Sequence, residues 1–218
     1  MERRQAKHAL YEAIAVMGKA LASPVRLELI DLLVQSPRGV DELARLSGQS
    51  VANTSQHLQA LHSAGIVSRM RDGTRIRYAL AGDDAVRLWL TLRDTSVSHL
   101  AEVERAARSY LGGDVEAIGR DELDERLSHG DLVLLDVRPD EEFAAGHIPD
   151  ARSIPVDELE DRIDELPADA QIVAYCRGSY CVMSHDAVRL LRDRGRDAVA
   201  LREGILEWRA AGQPVVAA

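Results

Sequence analysis

Aromatic side chains are scarce in this sequence: Phe, Trp and Tyr make up 4% of 218 residues, and there is a single Phe. That argues against a carbohydrate-binding platform or an aromatic cage. Cysteine is nearly absent, at two residues, too few for a disulfide scaffold. No apolar run approaches the ~20 residues of a membrane span. The opening MERRQAKHAL lacks the apolar core of a signal peptide. The expectation is a cytoplasmic chain with no membrane partner. What is present is 46% apolar residues, enough for a packed core. The net charge of −9 argues at first against nucleic acid.

Cutting the chain reverses that inference. Residues 1–113 carry 15 basic and 12 acidic side chains, net +3, and residues 114–218 carry the remaining 12 and 24, net −12. Such asymmetry predicts two domains with different partners. The seam falls at Leu111-Gly112-Gly113-Asp114, where paired glycines break a helical pattern, giving domains 1–111 and 112–218.

In the first half, Leu10, Ile14, Met17 and Leu21 fall at helical spacing within 5–21. Ser23-Pro24 restarts the chain as an N-cap and first-turn proline. Asp41 suits the cap of a short helix that Gly48 stops, and Ser50 the cap of a second that Gly65 ends. Two short helices about a Gly-containing turn form a helix-turn-helix. Asp72-Gly73 then divides 66–71 from 74–80, a hairpin signal. Period-two alternation is expected to put Arg69, Arg71, Arg75 and Arg77 mostly on one face of it. Alone, such a hairpin reads equally as a solvated edge. After a helix-turn-helix it reads as the wing of an α+β winged helix whose arginines hold phosphates. Residues 83–110 read as one long helix.

The string from Ser50 to Leu61 and Ala64-Gly65-Ile66-Val67 resemble the ArsR-type dimeric winged-helix repressors, over about residues 8–108. The resemblance implies double-stranded operator DNA as a partner and a homodimer paired through the long helix. It makes Leu58 and Leu61 core, and Ser50, Val51, Ala52, Asn53, Ser55, Gln56 and Gln59 the residues facing DNA. Asn and Gln can contact adenine bidentately. Many relatives sense metal through cysteines in the first helix of the motif, but Asp41–Leu46 has none. His99, Asp94 and Glu102 lack the paired histidines of the other metal-sensing form. No metal and no cofactor is expected.

In the second half, Asp131–Arg138 and Gln171–Tyr175 are short, nearly continuous apolar runs, as buried parallel strands require. With Ser153-Ile154 as a further short strand and helices at 121 and 184–194, they give an open α/β domain. Cys176 ends the second run and Arg177-Gly178-Ser179-Tyr180-Cys181 leads into a helix. Inward N–H groups and the helix end favour thiolate there. The alternative is a small buried cysteine.

Leu134–Arg138, Glu142-Phe143, Gly146–Pro149, Tyr175-Cys176-Arg177 and Gly204–Trp208 resemble the rhodanese sulfurtransferases, over about 116–216. The resemblance implies that Cys176 accepts sulfur as a persulfide from a donor and passes it to a thiol acceptor, with residues 177–181 as its cradle. It makes Asp136, Arg138 and His147 fold-holding. Related phosphatases need an arginine six positions after the cysteine, which here is Val182. Cys181 is either a resolving thiol or a small loop residue. Three readings follow: a repressor that senses or transfers reactive sulfur, a sulfurtransferase whose DNA-binding half is secondary, and a thiol- or arsenic-responsive regulator.

Overall fold

The computed structural model describes residues 2–129 and 132–217; Asp131, at the head of the first apolar run, lies outside them. The chain divides into two compact units, Met1–Thr95 and Ser96–Ala218.

In the first unit, α1 (Glu2–Leu21) and α2 (Pro24–Gln35) precede a two-residue strand, β1 (Arg38–Gly39). Ser23 is the N-cap of α2, with Pro24 at its first position. Helix α3 (Val40–Leu46) starts from Gly39, so Asp41 lies in its first turn instead of capping it. Helix α4 (Val51–Ser63) is capped by Ser50, whose hydroxyl accepts the Asn53 N–H at 3.2 Å. Strands β2 (Val67–Asp72) and β3 (Arg75–Leu80) form the hairpin, and β1 joins β3 in an antiparallel sheet of order β1-β3-β2. Leu29, Ile30 and Leu33 of α2 pack with Leu43, Leu58, Leu61, Ile66, Tyr78 and Trp89 into one core. Sequestering these side chains is worth about 1.5–3 kcal/mol each.

The stretch expected as one helix is two: α5 (Asp83–His99) and α6 (Ala101–Leu111), parted at Leu100, whose backbone is extended. The residues before the break, Thr95-Ser96-Val97-Ser98-His99, are all weak helix formers, which explains the interruption there.

The second unit continues with β4 (Ala117–Ile118), α7 (Arg120–His129), β5 (Leu132–Asp136), α8 (Asp140–Ala145), β6 (Arg152–Ser153) and α9 (Leu159–Arg162). A 3-10 turn, β7 (Gln171–Tyr175), α10 (Val182–Asp193), β8 (Ala198–Leu201) and α11 (Ile205–Ala210) follow. The five strands run parallel in the order β4-β8-β7-β5-β6. Ile172, Ala174 and Cys176 feed the core on one face, with Ala187, Val188 and Leu191 of α10. Val173 and Tyr175 feed the other, with Ile205 and Trp208 of α11. Chain order reverses between β5 and β7, because β6 lies outside β5. In open parallel sheets that switch point is where a crevice forms at the carboxyl ends of the strands.

Arg189 of α10 holds the turn that follows α6. Its Nε and Nη2 donate to the Asp114 carboxylate at 2.7–3.2 Å, and Nη2 reaches the Leu111 carbonyl at 2.5 Å. The guanidinium holds the Asp114 carboxyl down to about 2. Among the described residues, no helix is long and apolar enough to cross a membrane.

Candidate functional site

The second helix of the helix-turn-helix presents a graded surface. Ser50, Val51, Ala52, Gln56 and Gln59 are exposed, Asn53 and Ser55 half-buried, and Thr54, Leu58 and Leu61 buried. Val51 is 47% exposed at the helix N-terminus, where a monomer in water gains nothing from an apolar side chain. The Asn53 amide donates to Gln49 Oε1 at 2.8 Å, which holds it against the turn.

The wing departs from its expected form. Its loop residues are Gly73-Thr74, with Gly73 at φ +60°, and Asp72 pairs with Arg75. Arg69 lies opposite Tyr78 and Arg71 opposite Ile76, while Arg77 lies opposite Met70. Directly opposed antiparallel residues share a face. Two arginines therefore stand on each face, instead of most on one. Arg69 and Arg75 are exposed and have no ion-pair partner among the described residues. Arg71 Nε donates to the Gly73 carbonyl at 3.2 Å. Arg77 is half-buried, donates to the Pro37 carbonyl and approaches Asp72 at 3.6 Å.

In the second unit the structure brings both cysteines together. Cys176 and Cys181 are joined by a disulfide across the loop, with sulfurs 1.98 Å apart and Cα atoms 6.2 Å apart. Cys176 is 2% exposed; Cys181 is half-buried and is the N-cap of α10, which begins two residues earlier than its sequence pattern implies. The loop is anchored on two sides. Ile205 and Leu206 N–H groups donate to the Cys176 and Arg177 carbonyls, both at 3.1 Å. The Arg177 guanidinium lies on Glu142, with three contacts of 2.6–3.1 Å.

Glu207, which the sequence reading did not single out, is the other anchor. Its Oε1 accepts the Ser179 N–H at 3.2 Å and the Ser179 hydroxyl at 2.9 Å, and its Oε2 accepts the Gly204 N–H at 2.9 Å. The Cys181 N–H turns to the Gly178 carbonyl at 3.0 Å. At least two N–H groups of the expected cradle are thus engaged by protein acceptors.

One turn into α10, His185 is buried and its Nδ1 has no hydrogen-bond partner among the described residues. Burial, and then the Arg189 guanidinium, push its imidazole below the ordinary 6.5. Beneath the loop, Asp136 and Arg138 form a buried pair at 2.6 Å, and Arg138 also donates to the Gly146 carbonyl at 2.9 Å. The Tyr175 hydroxyl accepts the Ile148 N–H at 3.1 Å, and burial pushes its phenol up. His147 stacks on Phe143 with ring centroids 3.7 Å apart. These groups hold the fold around the strand ends. Among the described residues no group of three or more His, Cys, Asp or Glu is placed to hold a metal ion.

A winged helix-turn-helix joined to a parallel-sheet unit with a cysteine loop defines a transcriptional regulator with a rhodanese-like domain. The model of the rhodanese-like domain matches residues 119–211, and that of bacterial regulatory proteins of the arsR family matches residues 23–69. The HTH-type transcriptional regulator Rv0324 of Mycobacterium tuberculosis is 49% identical over 209 residues, covering 96% of this chain and 92% of that protein. A sulfurtransferase of Allochromatium vinosum is 37% identical over 105 residues, covering 47% of this chain and 96% of that protein. A homodimeric winged helix-turn-helix DNA-binding domain from Mycobacterium bovis is 41% identical, covers 43% of this chain and 87% of that chain, and has a TM-score of 0.42. The chain belongs to the ArsR family of helix-turn-helix regulators, in the form that carries a rhodanese-like domain.

Proposed function

We propose that this regulator binds operator DNA as a homodimeric repressor, and that the sulfur state of Cys176 and Cys181 sets its affinity. One observation carries the reading: the chain has two cysteines, and they are bonded to each other in the loop at the C-terminal end of a central strand. In the reduced loop the start of α10 favours thiolate, and Cys176 accepts sulfur as a persulfide. Cys181 resolves it. For coupling, the two sulfur states must differ in energy between two arrangements of the dimer.

On the DNA side, Ser50, Val51, Ala52, Asn53, Ser55, Gln56 and Gln59 face the major groove, and Arg69, Arg71, Arg75 and Arg77 hold phosphates. The dimer is supported by α1, where Leu10, Ile14 and Met17 form a row 40–59% exposed. A gel shift with reduced, disulfide and polysulfide-treated protein tests the reading. Affinity should differ between the reduced and at least one sulfur-modified form, and equal affinity in all three sinks it.

The second reading, a sulfurtransferase first, is favoured by the likeness to a protein named as one. Sulfur transfer to cyanide by wild type and Cys176→Ser tests it. Activity that survives the substitution removes Cys176 as the nucleophile.

A further inference from the structure

The charges around the cysteine loop bear on which sulfur compound it takes. An oxoanionic donor such as thiosulfate needs an unpaired cation or free N–H groups beside the attacked sulfur. The cation of the loop, Arg177, is spent on Glu142. The Ser179 N–H and hydroxyl and the Gly204 N–H are spent on Glu207. The Cys181 N–H is spent on the Gly178 carbonyl, and position 182, where an anion clamp would stand, is Val. The guanidinium of the loop is thus neutralised by Glu142, and a second carboxylate, Glu207, lies against the loop backbone at Ser179. Size adds a second filter, because Cys176 is 2% exposed while Cys181 is half-buried.

Resting on the reading that Cys176 carries the persulfide, we propose that the sulfur source for this site is inorganic sulfide, which opens the Cys176–Cys181 bond, and that oxoanionic donors are excluded. Hydrosulfide attacks Cys176 Sγ and forms a new S–S bond as the Cys176–Cys181 bond breaks. Cys181 leaves with the electron pair as a thiolate and takes a proton from solvent. Cys176 is left as the persulfide. The disulfide supplies the oxidising equivalents, so no other oxidant is consumed. The direction of attack follows from the leaving group: the sulfur that leaves faster is the better-stabilised thiolate. Cys181 N-caps a twelve-residue helix, whose partial positive end stabilises that thiolate. Burial of Cys176 restricts its reaction partner to one that presents a single unsubstituted sulfur, as hydrosulfide and the end of a linear polysulfide do.

The full chain in its disulfide form is treated with sodium sulfide or with thiosulfate, alkylated, and read by peptide mass spectrometry. Sulfide should give a persulfide on Cys176 and a free thiol at Cys181, one for one. Thiosulfate should leave the bond closed, and should also fail to load the reduced chain, which inorganic polysulfide loads. Glu142→Gln with Glu207→Gln releases the guanidinium and the N–H groups, and should raise thiosulfate loading of the reduced chain about tenfold. Glu142→Gln alone leaves the Glu207 contacts in place and should give a smaller gain. A bond that stays closed in sulfide, a persulfide on Cys181 instead, thiosulfate loading of wild type as fast as polysulfide loading, or no gain in either variant overturns the proposal. A gel shift on the same samples separates the two levels. A Cys176 persulfide with unchanged operator affinity supports the donor assignment while removing the DNA response.

Discussion

Glu207 ties the cysteine loop to the segment that closes the domain, and Gly204 is what lets the two approach. A Cβ at 204 would lie 2.2 Å from the Gly178 nitrogen and 2.4 Å from the Arg177 carbonyl carbon. Both are backbone atoms and cannot swing aside. Gly204→Ala should cost about 1–3 kcal/mol, read as a lower denaturant midpoint. His185 gives a pH dependence. Its imidazole titrates below 6.5 when folded, so the unfolded chain binds the proton first. Stability is therefore full above pH 6.5 and falls as pH drops toward the folded value. His185→Gln should flatten that acidic limb of the urea midpoint. Cys176 was legible from its place after an apolar run. Glu207 was not, because its acceptor role depends on Ser179, 28 positions earlier. The one local signal was its spacing three residues after Gly204, as in a helix-capping pair.

At the level of elements, the caps at Ser23 and Ser50 and the presence of the hairpin were readable, whereas the cap of α3 and the faces of the wing arginines were not. Ser50 caps α4 as its residue type implies, and Ser50→Ala should cost about 1 kcal/mol, measured as a drop in the thermal midpoint. The hairpin was readable from Asp72-Gly73, but its register is set by which two residues make the turn. The loop is Gly73-Thr74, and pairing across the strands divides the arginines between faces. This separates their expected effects. Arg69→Ala and Arg75→Ala, both exposed, should each lower the salt slope of DNA binding by about 1 with little effect on stability. Arg77→Ala should lower stability as well, because its guanidinium serves the Pro37 carbonyl. Strand β8 escaped the sequence reading: Ala198-Val199-Ala200-Leu201 is too short and too helix-compatible to declare itself before β7 is in place to pair with it.

Across the whole molecule, the −9 total hides a +3 half that carries the DNA-binding elements and a −12 half that carries the cysteines. The change from helical to strand periodicity exposed the two fold classes, and the paired glycines marked a helix end, since Gly112 caps α6 at φ +94°. The break at Leu100 was hidden by a continuous apolar pattern on both sides of it.

The bridge between Cys176 and Cys181 spans five positions, so it closes a very small ring. Ring closure this short restrains the unfolded chain by roughly 2 kcal/mol, and the thermal midpoints of oxidised and reduced protein should differ by less than about 10 °C. Opening the bond then changes chemistry without dismantling the domain. With no other cysteine in the sequence, the bond also has no wrong partner within its own chain. In a sample free of persulfide, a colorimetric thiol count on the denatured protein, zero per chain for closed and two for reduced, then reads the closed fraction directly.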